Sequence, residues 1–67
     1  MNQRIKLLDV VALTEDLPAR KLPRGQVGTV VERLGPGVFE VEFADNDARP
    51  FASLALKANH LLGLYYQ

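Results

Sequence analysis

The sequence predicts an all-β protein, a small five-stranded and partly open barrel with a long first loop and one short 3₁₀ turn. Three observations carry that expectation. Residues 38–43 alternate strictly, with Phe39, Val41 and Phe43 on one face and Val38, Glu40 and Glu42 on the other. A period of two marks a strand with one dry face and one wet face. A Gly35-Pro36-Gly37 signal separates this run from a preceding β-rich run. Proline presets a turn's φ and glycine supplies positive φ without steric cost, so the two runs read as a hairpin. Finally, the whole chain of 67 residues breaks into about five short β-rich segments punctuated by Gly and Pro. Such a pattern means a sandwich or barrel, and at this size a partly open barrel is the economical one.

Residues 7–14 read as the first strand, with Val11 and Leu13 as its core pair and Asp9 near its start. Residues 15–24 form a long polar connection. Pro18 and Pro23 exclude a helix and a central strand there. Asp16 is placed so that its side chain can fold back onto nearby backbone N–H groups. In the first half of the hairpin, Gly25 and Gly28 interrupt a β-rich run. A glycine in a strand suggests a bulge, a sharp bend or the close approach of another backbone. Gly28 is therefore read as structural. The two glycines do not make a phosphate loop, since no Lys-Ser/Thr pair and no helix follow them.

Asp45-Asn46-Asp47 signals the next turn. It is not a calcium loop, because the glycine and the closing glutamate of an EF-hand are absent at their positions. Residues 49–56 read as a third β segment with Phe51 as inward anchor, joined by Leu54 or Leu56. Pro50 implies an edge position or the start of that strand. A single 3₁₀ turn fits 57–60, and residues 61–66 close the chain as a final strand. The chain is expected to be one domain over 1–67, with 1–6 frayed.

Composition narrows the function classes. Eight acidic residues balance eight basic ones, whereas nucleic-acid binders usually carry a basic excess. No run approaches the roughly 20 apolar residues of a membrane-spanning helix. Asp9 interrupts the apolar residues that would form a signal-peptide core. With no targeting segment and no Cys, a cytoplasmic protein is expected. Stability then rests on an efficient apolar core, on oligomerisation, or on both.

The candidate binding residues are Arg20, Lys21 and Arg24 in the long loop, and Tyr65 and Tyr66 at the C-terminal end. Loops held by a rigid scaffold carry a large share of binding residues. Tyrosine is enriched at interfaces because it is amphipathic and loses little rotamer entropy. The plain alternative for the loop is a solvated surface, and for the tyrosines a strand paired into the barrel. No catalytic, metal or cofactor residue is assigned. Ser53 falls inside a strand, Glu40 and Glu42 share an exposed face, and His60 has neither a Cys nor a second His with which to share a metal. The chain is not expected to be an enzyme.

The segments LDVVALTEDLP (8–18), RGQVGTVVE (24–32) and VEFADND (41–47) together resemble domain-of-unknown-function family 4926, a group of small bacterial proteins. Where that family usually has Gly after the Asp-Asn-Asp turn, this chain has Ala48, which tolerates positive φ poorly. More distantly, residues 25–43 are similar to the KOW motif and other SH3-like barrels, in which a Gly-bent strand precedes a hairpin. The long connection after the first strand suits an SH3-like barrel as well. These resemblances imply a protein-interaction module or an accessory subunit, with an antitoxin or immunity-type partner of a neighbouring protein as one form. The alternative they imply is a KOW-like domain binding RNA or single-stranded nucleic acid. A protein partner is the first expectation and a homo-oligomer is compatible with it.

Overall fold

The computed structural model describes residues 4–64. They contain one antiparallel sheet of five strands, β1 (Val10–Leu13), β2 (Val27–Gly35), β3 (Val38–Ala44), β4 (Pro50–Lys57) and β5 (Leu61–Gly63). The strand order is β4-β3-β2-β1-β5. β4 and β5 thus lie at opposite edges, yet only the 3₁₀ turn Ala58–His60 separates them. In a flat sheet, four strand spacings of about 4.8 Å would hold them about 19 Å apart. Four residue steps reach at most about 14 Å. The sheet must curl on itself. No ladder joins β4 to β5 among the described residues, so the barrel stays open. This is the all-β, five-stranded, partly open architecture that the sequence predicts.

β3 lies between β4 and β2 and follows its alternation faithfully. Phe39, Val41 and Phe43 are buried, and the residues between them are half-buried on the other face. They join Val11, Leu13, Leu22, Val30, Leu56 and Leu61 in one core. The hairpin closes at the Gly35–Val38 pair, and Gly37 adopts the positive φ of 69° that the turn needs. Pro50 opens β4, an edge strand, where its missing N–H does no harm.

Several boundaries differ from the sequence expectation. β1 begins at Val10, because residues 6–9 form a turn. Asp9 N donates to the Lys6 carbonyl (3.0 Å), and Lys6 N donates to Asp9 Oδ2 (2.8 Å). Leu7 and Leu8 are exposed as a result. Ile5 nevertheless packs against the core. A second 3₁₀ turn, Pro18–Arg20, lies within the long loop. Two prolines exclude a long helix, but Pro18 starts a single turn, where its missing N–H is not needed.

Phe51 is not an inward anchor; it is 53% exposed. The register shifts from Phe43–Ala52 to Ala44–Pro50, which leaves Phe51 as the extra residue of a bulge. Leu56 and Ala52 take the inward positions with Leu54. Gly28 is not a bulge either. The bulges of β2 fall at Val31 and Leu34, where the register with β3 shifts. Gly28 is instead a site where side chains, not another backbone, come close, since a β-carbon there would lie 2.8 Å from the Phe43 ring and from Val41 Cγ1.

Candidate interaction surface

The loop at 15–24 is a built structure. Leu17 and Leu22 form an isolated antiparallel bridge, with Leu17 N donating to Leu22 O (2.7 Å) and Leu22 N donating to Leu17 O (3.2 Å). Leu22 is buried in the core and pins the loop to the barrel. The chain reverses over the 3₁₀ turn between them, and Lys21 ends that turn in the left-handed region (φ 57°). Asp16 Oδ1 accepts a hydrogen bond from Arg24 N (2.7 Å), so the aspartate folds back on backbone as its position suggests. Sequence reasoning did not place Leu22 in the core. Its apolar character between Lys21 and Pro23 was the signal available.

Arg20, Lys21 and Arg24 are all exposed on this frame. None of the three is in an ion pair among the described residues. They do not converge on one hollow. Lys21 borders a shallow hollow with Asp16, Pro18 and Pro23. Arg24 borders an open groove of about 700 Å³ that continues past Gln26 and Thr29 to Glu42 and the 45–48 turn. Arg20 lines neither. Tyr65 and Tyr66 lie outside the described residues.

That turn is held by Asp45. Its Oδ1 accepts from Asp47 N (2.9 Å) and Arg49 N (3.0 Å), and Ala48 N donates to the Asp45 carbonyl (3.0 Å). Arg49 bridges to Asp45 and Asp47. Ala48 adopts φ 61°. The acidic residues are therefore turn builders. Among the described residues no group of three or more His, Asp or Glu side chains is placed to hold a metal.

The groups that could do chemistry stand apart. Ser53 Oγ donates to Glu40 Oε2 on the outer face of the sheet. His60 Nε2 lies 3.3 Å from Glu15 Oε1, beside the long loop. The outer face of the central hairpin also pairs Glu32 with Glu40 and Thr29 with Glu42. Three carboxylates thus stand on the outer face of the central hairpin. No helix among the described residues is long and apolar enough to cross a membrane.

The family model described as Domain of unknown function (DUF4926) matches residues 7–62. The chain belongs to this family. The match covers β1 to β4, the long loop, the Asp45 turn and the first two residues of β5. No curated protein and no solved structure matches the chain.

Proposed function

We propose that this chain is a protein-interaction module, acting through the cationic loop at 15–24. One observation carries the reading. Leu22 and the Leu17–Leu22 bridge tie the loop to the core, while the side chains of Arg20, Lys21 and Arg24 are exposed and in no ion pair among the described residues. A pre-ordered loop backbone loses little entropy on binding, which favours a recognition surface over a merely solvated loop. An accessory subunit or an antitoxin-type partner of a neighbouring protein would use the surface in the same way.

The acidic outer face of the hairpin argues against nucleic acid as the partner, because Glu32, Glu40 and Glu42 would repel a phosphate backbone. The test is a tagged pull-down from the source lysate, with and without nuclease, repeated with Arg20→Glu/Lys21→Glu. The expected result is a stoichiometric protein partner that survives nuclease and is lost with the double variant, at unchanged Tm. A partner that vanishes with nuclease would favour the nucleic-acid reading. A fall in Tm would mean that the loop cations are packing groups.

A further inference from the structure

The bulges in β2 create a second surface, which shares no lining residue with the hollows beside the cationic loop. β1 pairs with β2 only as far as Thr29. The last backbone bonds on that side join Leu8 N to the Val30 carbonyl (2.7 Å) and Val30 N to the Asp9 carbonyl (2.9 Å). From 31 to 35, β2 pairs with β3 alone among the described residues. The inner half of β2 is therefore a central strand and its outer half an edge. The N-terminal segment 4–7 passes this edge without pairing to it, and an open groove of about 700 Å³ lies between them.

Ile5, Leu7, Val31 and Phe39 give the groove an apolar lining. Around it stand three cations, Arg4, Lys6 and Arg33, against one carboxylate, Glu32, an excess of two positive charges. None of the three cations is in an ion pair among the described residues. The even charge balance of the whole sequence hides this local excess, because the carboxylates gather on the outer hairpin face and in the Asp45 turn.

We propose that this groove takes an extended acidic segment of a partner protein, added as a strand along the open half of β2. An unpaired strand edge offers backbone donors and acceptors to an incoming strand, and here the bulges at Val31 and Leu34 limit that ladder to a short stretch around Glu32 and Arg33. The apolar lining suits alternate side chains of such a strand, and the cations select carboxylates and reject basic segments. The same cations could attract a nucleic acid, but single strands are gripped by stacking on exposed aromatic rings. The ring that lines this groove, Phe39, is buried in the core. The inference goes beyond the loop reading, and loop variants and groove variants report on the two separately.

The test uses a fluorescein-labelled peptide of about ten residues alternating Glu and Val, a length typical of a long strand. Its Lys–Val counterpart and an oligouridylate of similar size are the comparisons, read by fluorescence anisotropy. The Glu–Val peptide is expected to bind at low salt and to weaken toward about 0.5 M salt, where exposed charges are screened. Lys6→Glu/Arg33→Glu is expected to lower its affinity about tenfold or more, and Arg33→Gln to lower it by less. Arg20→Glu/Lys21→Glu should leave it unchanged. In amide NMR spectra the bound peptide should shift and protect residues 31–34. Any of four results overturns the proposal: no binding at low salt, affinity indifferent to both groove variants, tighter binding of the oligouridylate, or amide changes elsewhere than the groove.

Discussion

The ring of Phe43 lies so close over Gly28 that a β-carbon there would come within 2.8 Å of Cδ1 and Cε1. The ring cannot retreat, because Phe43 is fully buried and Val41 Cγ1 stands at the same distance on the same strand. Gly28→Ala is therefore an overpacking change, which typically costs about 1–3 kcal/mol. In a domain of this size each kcal/mol lowers Tm by about 4–8 °C. Gly35→Ala is the matched control, since nothing lies within 4 Å of a β-carbon there. It should stay within about 0.5 kcal/mol of the parent. Equal melting temperatures for the two variants would refute the close approach.

Ala48 carries a strain that a single substitution can remove. Its φ of 61° lies in the left-handed region, which costs an L-residue roughly 1–2 kcal/mol. Glycine removes that cost but adds freedom to the unfolded chain worth about 0.4–1 kcal/mol. The balance favours glycine, so Ala48→Gly should raise Tm by several degrees. Asp45→Ala should act in the opposite direction, because it deprives Asp47 N and Arg49 N of their acceptor. The expected loss is about 1 kcal/mol or more. Thermal melts of the two variants check both signs, and a lower Tm for Ala48→Gly would refute the assigned strain.

What could be read in the sequence was whatever a local rule decides. The alternation of β3 fixes its own inner face, Gly-Pro-Gly announces its turn, and Pro50 marks an edge strand. The bulges could not be read in this way. Val31, Leu34 and Phe51 look like ordinary strand residues, and only the register against β3 shows each to be one residue too many. Phe51 illustrates the cost of trusting residue type over period. Its size suggested an anchor, while the spacing of Leu54 and Leu56 already put it on the opposite face. Of the candidate surface, the exposed loop cations were legible from the charge cluster. The groove beside β2 was not, because it joins residues 4–7 to residues 31–33 through pairing that stops at Thr29.

Leu22 should separate folding from recognition. It is 2% exposed and ties the long loop to the core. Leu22→Ala removes buried methyl groups and leaves a cavity, a change that costs about 2–5 kcal/mol. Urea unfolding should show that loss, and hydrogen exchange should show early opening of the Leu17–Leu22 bridge. Arg20→Ala and Lys21→Ala touch no core residue and should change stability by less than about 0.5 kcal/mol. If Leu22→Ala were equally silent, the loop would not be anchored and the argument from a pre-ordered loop would fail.

Glu32 and Glu40 face each other directly across β2 and β3. Like charges in that position destabilise a sheet, and cross-strand pairs are worth about 0.2–1 kcal/mol. Glu40 already has a partner in the Ser53 hydroxyl, so Glu32 is the member to neutralise. Glu32→Gln should stabilise the fold by a few tenths of a kcal/mol at low salt, with the gain shrinking as salt screens the pair. The same change removes the carboxylate from the groove beside β2, leaving Arg4, Lys6 and Arg33 unopposed. It should therefore tighten binding of the Glu–Val peptide as well, again most at low salt. Stability and affinity rising together in one variant would tie the outer hairpin face and the groove to the same carboxylate. A gain in stability with unchanged affinity would place Glu32 outside the reach of a bound segment.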